Sequence, residues 1–208
     1  MTKVLGISGS LRRGSYNSAL LRAAARLMPE DATLEIASIR GIPLYDGDVE
    51  AQGIPAAVTQ LKEAIIAADG VLLVTPEYNN SVPGVFKNAI DWLSRPASDV
   101  KRVFGGRRFA LLGASAGAFG TVLSQAAWLP VLRTLGTQPW FGARLMVARA
   151  AGVFDEAGNL KEALIEEQLK QFLAGYVAFL RRAAAGASRA GQPGQPGQPG
   201  QGGQAQGG

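Results

Sequence analysis

Short apolar stretches alternate with longer amphipathic ones along most of the chain. Lys3–Ser8 and Val71–Thr75 are almost continuously apolar, as fully buried strands are, whereas Thr33–Ile39 alternates apolar and polar positions. Arg108–Gly113 has the same character as the first two, and Trp140–Ala148 is the last segment with a strand-like pattern. The sequence therefore predicts five strands.

Apolar residues at helical spacing fill the gaps between these strands. Pro55 is well placed as a first helical residue, and Pro130 is expected to kink or interrupt the helix that contains it. A loop rich in Gly, Pro and Asp runs from Gly41 to Gly53. The predicted helices are Ser18–Met28, Pro55–Ala68, Gly84–Ser94, Gly120–Leu135 and Leu160–Arg182.

A helix after every strand predicts an α/β fold in three layers. Parallel strands that are buried on both faces need helices on both sides of the sheet, and right-handed crossovers leave few arrangements. At this size we expect a doubly wound sheet of five parallel strands in the order 2-1-3-4-5. Ligands bind such sheets at the carboxyl ends of the strands, so the loops after strands 1, 3 and 4 are candidates for a site.

The composition changes sharply near the C-terminus. From Gly191 onward the chain repeats Gly-Gln-Pro, carries no charge and has Ala205 as its single apolar side chain. Such a segment cannot bury enough apolar surface to offset the entropy lost on ordering. The sequence thus predicts one folded domain, residues 1–186, followed by a disordered Gly/Gln/Pro tail, residues 187–208.

Two residue types are missing altogether, because the chain has no Cys and no His among its 208 residues. Their absence excludes disulfides, thiolate nucleophiles, Ser-His-Asp triads and the common Cys or His metal sites, so no metal site is predicted. An enzyme with this composition depends on carboxylates or on a bound cofactor.

The net charge is +5 at neutral pH, and the sequence pI is about 9.8. This basic excess favours anionic small molecules as partners. The Lys and Arg residues are scattered and aromatic residues make up 7% of the chain, so a nucleic-acid partner is not expected. The apolar runs are too short for a membrane span or a signal peptide, which makes the cytoplasm the expected location.

The loop after strand 1 concentrates groups that bind anions. It reads SGSLRRGSYN from position 8 to position 17 and leads into a helix. The N–H groups and dipole of a helix N-terminus favour an anion, the hydroxyls of Ser10 and Ser15 add neutral donors, and Arg12 adds a charge-assisted bond. A capped turn would explain one Ser or Asn, whereas the combination favours a phosphate monoester. The spacing fits neither a Walker loop nor the GxGxxG dinucleotide motif.

The loops after strands 3 and 4 are less specific. Pro76–Gly84 contains two prolines, two adjacent asparagines and a Tyr, and such a rigid loop with polar edges suits the border of a flat heterocycle. Gly113–Thr121 consists mostly of small residues, which let a ligand approach the backbone closely. The alternatives to ligand binding are a plain Pro/Asn turn for the loop after strand 3 and a flexible Gly loop for the loop after strand 4.

Taken together, the three segments resemble a known family. GISGSLRRGSYN, VTPEYNNSVPGVFKNAIDWLSRP and GASAGAFGT are similar to motifs of the NADPH-dependent FMN reductase family, and most of all to its chromate/quinone reductase branch. The resemblance spans about Lys3 to Ala183 and weakens after Thr121, where the residues would shape the substrate side. It implies a flavodoxin-like fold, which has the strand order that the pattern itself predicts.

The resemblance also implies which residues would hold FMN. The first segment would surround the phosphate, Pro76–Asn79 would border the isoalloxazine ring, and Ser115 with Gly117 would contact the flavin. The implied cofactor-binding residues are Ser10, Leu11, Arg12, Arg13, Gly14, Ser15, Tyr16, Asn17, Pro76, Glu77, Tyr78, Asn79, Ser115 and Gly117. No side chain is implied as a catalytic residue, because the flavin N5 would be the reactive centre.

The implied function is that of an FMN-dependent NAD(P)H oxidoreductase with NADPH or NADH as co-substrate. The nucleotide would deliver a hydride and leave, and a quinone, chromate, azo dye or free flavin would then occupy the same space in a ping-pong sequence. Members of this branch form homodimers or homotetramers, so a homo-oligomer is expected. The alternative is a flavodoxin-like electron carrier without NAD(P)H activity, although flavodoxins are usually acidic and this chain is basic.

Overall fold

Six strands and seven helices follow one another along residues 1–190, the part of the chain that this computed structural model describes. The strands are β1 (Thr2–Ser8), β2 (Ala32–Ala37), β3 (Gly70–Val74), β4 (Arg108–Ala114), β5 (Gln138–Pro139) and β6 (Met146–Val147). The helices are α1 (Tyr16–Arg26), α2 (Gly47–Gln52), α3 (Ala56–Ala67), α4 (Gly84–Leu93), α5 (Val100–Val103), α6 (Val122–Thr134) and α7 (Ala163–Ala190).

The strands form one parallel sheet in the order β2-β1-β3-β4-β5, with β6 paired to β4 as well. The predicted α/β class and the order 2-1-3-4-5 are therefore confirmed. In β1, Leu5 is paired with Glu35 of β2 on one side and with Val71 of β3 on the other. The strand order reverses direction between β1 and β3, and a cleft opens at their carboxyl ends.

Alternating side chains of each central strand enter two separate cores. Leu72 and Val74 of β3 pack on one side of the sheet, in the core to which α1 and α7 contribute. Val71 and Leu73 pack on the other side, with apolar residues of α3, α4 and α6. Because both faces of the sheet are buried here, β3 is buried and free of polar side chains at every position.

The predicted fifth strand, Trp140–Ala148, is wrong in its extent. The structure has β5 just before this segment, paired with the start of β4, and β6 near its end, paired with the last residues of β4. Between them the chain leaves the sheet edge: the Trp140 ring packs against Phe172 and Tyr176 of α7, while Phe141 is exposed. Pro139 cannot donate a backbone hydrogen bond, which shortens the pairing at this edge.

Two helical segments differ from the prediction. Pro130 lies inside α6 without interrupting it, on the exposed side of the helix, where water can satisfy the carbonyl that loses its partner. The loop from Gly41 to Gly53 contains α2, whose first turn is capped by the side chain of Asp46. The short-range cap stabilises a helix that shows no apolar periodicity.

The last helix, α7, spans the sheet and continues beyond it. The buried hydroxyl of Tyr176 lies 3.1 Å from the carbonyl oxygen of Val71 and 3.0 Å from that of Arg108, so it links α7 to β3 and β4. Burial raises the pKa of the Tyr176 phenol far above its usual range. The helix runs past residue 186, the predicted domain boundary, and the remainder of the predicted tail, residues 191–208, lies outside the described residues. Within residues 1–190, no helix has both the length and the apolar character needed to cross a bilayer.

Candidate functional site

The loops after β1, β3 and β4 meet in one open cleft at the carboxyl edge of the sheet. Its cavity volume is about 330 Å³, which is within the range of small-molecule sites. The cleft is lined by Ser10, Arg12, Ser15, Tyr16, Asn17, Pro76, Glu77, Tyr78, Ala114, Ser115 and Ala116. The structure thus brings together residues from all three of the predicted segments.

Five predicted residues lie around this cleft and not in its lining: Leu11, Arg13, Gly14, Asn79 and Gly117. Asn79 and Asn80 have φ of 49° and 60° and form the tip of a tight turn. Two backbone hydrogen bonds between Tyr78 and Ser81 close this turn. Asn adopts such left-handed conformations more readily than most residues do. The adjacent asparagines therefore shape the loop that holds Tyr78 at the cleft.

The loop after β1, which the sequence predicts to bind phosphate, leads into the capped start of α1. The hydroxyl of Ser15 caps this helix by accepting the N–H of Ser18 at 3.2 Å. The other N–H groups of the first turn have no acceptor within the helix, which is the usual basis of anion binding at such a terminus. The guanidinium of Arg12 lies over the Tyr16 ring, 5.4 Å from its centroid. Within residues 1–190, Arg12 makes no salt bridge, so its charge is available to an anion.

Asn17 joins two of the loops. Its Nδ2 donates to the carbonyl oxygen of Ala114, and its Oδ1 accepts the N–H of Ala114, both at 2.8 Å. The side chain is buried, and the pair of bonds fixes the start of α1 to the end of β4. The sequence placed Asn17 among the phosphate contacts, whereas the structure engages its amide in holding the cleft together.

Glu77 is the one acidic residue in the cleft lining, and its carboxylate is engaged by a helix. Oε2 accepts the N–H groups of Leu123 at 2.9 Å and Ser124 at 3.0 Å, in the first turn of α6. Thr121, the residue in the capping position of α6, forms no such bond with its own side chain. The helix terminus balances the negative charge of Glu77, which leaves Arg12 as the dominant charge in the cleft.

Replacing Glu77 with Ala is expected to lower the free energy of unfolding by about 1–2 kcal/mol, since two helix N–H groups lose their acceptor. Urea unfolding measures the change. Glu77→Gln is the matched control: its amide oxygen still accepts both bonds, so the loss should be less than half as large. Equal losses for the two variants would contradict the capping role.

Several small residues outside the predicted set lie in the cleft lining or next to it in the chain. Ala114 and Ala116 line the cleft directly. A Cβ on Gly9 would lie 2.2 Å from a ring carbon of Phe86, and one on Gly113 would lie 2.1 Å from the carbonyl oxygen of Thr75. Runs of Gly, Ala and Ser directly after β1 and β4 are the signal from which these positions could have been found.

A doubly wound parallel sheet in the order 2-1-3-4-5, with a cleft at the carboxyl ends of β1, β3 and β4, defines a protein of the flavodoxin-like fold class. The chain belongs to the NADPH-dependent FMN reductase family, whose sequence profile matches residues 2–152. This finding confirms the resemblance that the three motifs carry.

Individual relatives agree with the family assignment. The chain is 47% identical over 180 residues to an NAD(P)H-dependent FMN reductase from Pseudomonas aeruginosa, covering 86% of this chain and 96% of that one. It is 37% identical over 179 residues to a 2-hydroxy-1,4-benzoquinone reductase from a Burkholderia species, with coverage of 86% and 96%. Among solved structures, FerB, a flavoenzyme NAD(P)H:(acceptor) oxidoreductase from Paracoccus denitrificans, superposes with a TM-score of 0.78 at 30% identity, covering 88% of this chain and 98% of FerB.

Family membership confirms several predictions at once. The protein is an oxidoreductase with the flavodoxin-like fold, FMN is its cofactor, and a nicotinamide nucleotide is its co-substrate. Which residues bind FMN and which molecule accepts the electrons depend on the geometry of the cleft.

Proposed function

We propose that the chain reduces quinones with electrons from NADPH or NADH, and that chromate, azo compounds and free flavin are further acceptors. The observation that carries this proposal is the convergence of the three loops on one cleft, where Arg12 forms no salt bridge within residues 1–190 and the Glu77 charge is engaged by α6. Quinone and FMN reductases among the relatives support the same class of acceptor.

The residues present suit FMN in chemistry and in size. Ser10, Arg12 and the first turn of α1 would hold the phosphate, since hydroxyls, a guanidinium and free N–H groups are its usual partners. Pro76 and Tyr78 would border the flavin ring. Ser115 has its hydroxyl oriented by the N–H of Gly117 at 3.1 Å and would contact the ring from the β4 side.

When bound, FMN supplies the redox centre, which is why a chain without Cys or His can carry the reaction. The protein binds and orients the reactants. The Tyr78 side chain, about half exposed at the cleft edge, leaves room for a second flat molecule beside the flavin position. The nucleotide and the acceptor would occupy this space in turn, in a ping-pong order.

Absorbance spectra and steady-state kinetics of the purified full-length protein test the proposal. We expect a flavin spectrum, oxidation of NADPH or NADH with a quinone, and parallel lines in double-reciprocal plots when both substrates are varied. Bound FMN with no nucleotide oxidation would support the electron-carrier alternative. A colourless protein that binds no added FMN would overturn both.

Replacing Arg12 with Ala is expected to weaken FMN binding by about 1.5–3 kcal/mol, the usual effect of losing a charge-assisted contact. Fluorescence titration of the flavin-free protein with FMN measures the affinity. Arg26→Ala, an exposed change in the last turn of α1, is the matched control and should leave the affinity unchanged. Unchanged affinity in Arg12→Ala would contradict the phosphate assignment.

Exposed aromatic and aliphatic side chains near the cleft support the predicted homodimer or homotetramer. Phe119 is 83% exposed in the loop after β4, and Leu123 in the first turn of α6 is 47% exposed. Light scattering after gel filtration determines the state: a mass of two or four chains agrees with the proposal, and the mass of one chain contradicts it.

A further inference from the structure

A second pocket lies beside the flavin cleft, on the other side of the loop after β1. It is bordered by α1 and by the end of β2 with the residues that follow, and its cavity volume is about 360 Å³. Ser10 and Arg12 line both this pocket and the cleft, so the two spaces adjoin at the same loop. Leu11 and Arg13, which are also predicted flavin contacts, line it too, whereas its lining residues from α1 and from the end of β2 onward are not among those contacts.

Four arginines line this pocket, which we call the arginine pocket: Arg12, Arg13, Arg22 and Arg40. Its lining contains no Asp or Glu. Within residues 1–190, none of the four makes a salt bridge, and the contacts of Arg40 include a hydrogen bond to the carbonyl oxygen of Leu11 at 2.7 Å. Arg13 and Arg22 also border a neighbouring cleft that holds Asp155 and Glu156, and a terminal nitrogen of Arg22 lies beside Gly158 in that cleft.

Uncompensated positive charge concentrated in a concave site is stabilised by a bound anion. Guanidinium groups are well suited to phosphate, to which they donate paired hydrogen bonds. The serine hydroxyls at positions 10 and 38 add neutral donors around the same space, and the mutually hydrogen-bonded hydroxyls of Ser8 and Ser18 lie beside it. The chemistry of the pocket therefore fits a phosphate monoester.

The pocket also has an apolar wall. Leu11 and Ile36 line it, and they remain 37% and 46% exposed. Exposed aliphatic side chains next to a phosphate-binding group suit a flat base attached to that phosphate. A phosphorylated adenosine combines both features.

We propose that the arginine pocket binds the 2′-phosphate and adenosine of NADPH while the nicotinamide lies in the adjoining flavin cleft. NADPH and NADH differ in this phosphate alone, so the pocket makes the protein prefer NADPH. The inference rests on the proposed reductase function, because it assigns the two ends of one nucleotide to two adjoining spaces. Arg22 and Arg40 are then specificity-determining residues that lie outside the predicted FMN contacts.

Nucleotide discrimination tests the proposal. In Arg22→Met and in the double variant with Arg40→Met, the KM for NADPH should rise roughly tenfold or more, the effect of losing one charge-assisted bond. The KM for NADH and the kcat with either nucleotide should stay within about twofold of the wild-type values. Arg26→Met is the matched control, since it removes an exposed charge from the same helix outside the pocket. A parallel rise for NADPH and NADH would overturn the proposal.

A binding experiment keeps this inference separate from the reductase function. The FMN-loaded protein is titrated with 2′,5′-ADP, 5′-AMP and inorganic phosphate by calorimetry, which needs no turnover. The 2′,5′-ADP should bind at least tenfold more tightly than the other two ligands, and Arg22→Met should remove that advantage. Equal binding of 2′,5′-ADP and 5′-AMP would overturn the proposal, as would release of FMN from Arg22→Met. Loss of turnover with 2′,5′-ADP binding intact would count against the proposed function and leave the pocket assignment standing.

Discussion

Replacing Gly113 with Ala is expected to lower the free energy of unfolding by about 3 kcal/mol or more, at the upper end of overpacking effects. The new Cβ would lie 2.1 Å from the carbonyl oxygen of Thr75 and 2.6 Å from the hydroxyl oxygen of Thr121. The first neighbour is the backbone of the residue directly after β3 and cannot rotate away, so β3 and β4 have to separate at their carboxyl ends. Pro76 follows Thr75 directly, and the cleft should therefore lose FMN affinity as well.

Thermal unfolding and flavin titration measure both effects of Gly113→Ala. For a domain of this size each kcal/mol shifts Tm by about 2–4 °C, so a fall of about 6–12 °C is expected. Gly14→Ala is the matched control: it is the same substitution in the loop after β1, where a Cβ would meet nothing within 4 Å. A Tm for Gly113→Ala within about 2 °C of the wild-type value would contradict the close approach of the strands.

The sheet and the position of the site could be predicted because both depend on patterns that are local in sequence. The run Val71–Val74 is apolar at every position, and this pattern indicates a central strand because both faces of β3 are buried. Right-handed crossovers then leave few strand orders, and the strand order places the ligand edge. The division of the edge strand into β5 and β6 could not be predicted in the same way. The packing of Trp140 on α7 separates the two strands, and no local sequence pattern indicates that contact.

Most residues that meet in the cleft could be predicted from their motifs, whereas the contacts that hold the cleft together could not. Hydroxyls and a guanidinium next to a helix start indicate an anion site by their type alone. Asn17, in contrast, has its partner 97 residues away, and the acceptor role of Glu77 joins positions 46 and 47 residues apart. Both side chains are polar residues in a flavin-binding motif, so the sequence suggested ligand contacts where the structure shows contacts between loops.

Replacing Asn17 with Ala is expected to lower the free energy of unfolding by about 2–6 kcal/mol. The N–H and carbonyl oxygen of Ala114 would both lose their partner in a buried position, and each unsatisfied group costs about 1–3 kcal/mol. The start of α1 and the end of β4 would no longer be held together, so FMN should also bind more weakly. Urea unfolding followed by circular dichroism measures the stability, and a loss below about 0.5 kcal/mol would contradict the clamp, because such a change is ordinary for a surface substitution.

Asn17→Asp separates the loss of the clamp from the loss of side-chain volume. An ionised carboxylate still accepts the N–H of Ala114 but cannot donate to its carbonyl oxygen, whereas a protonated carboxyl group can do both, as the amide does. The folded state should therefore favour the proton and raise the pKa of this carboxyl group. The deficit relative to the wild-type protein should be largest at neutral pH and should shrink as the pH falls toward about 4, the ordinary value for Asp. A deficit that is independent of pH would show that the donor to Ala114 does not stabilise the fold.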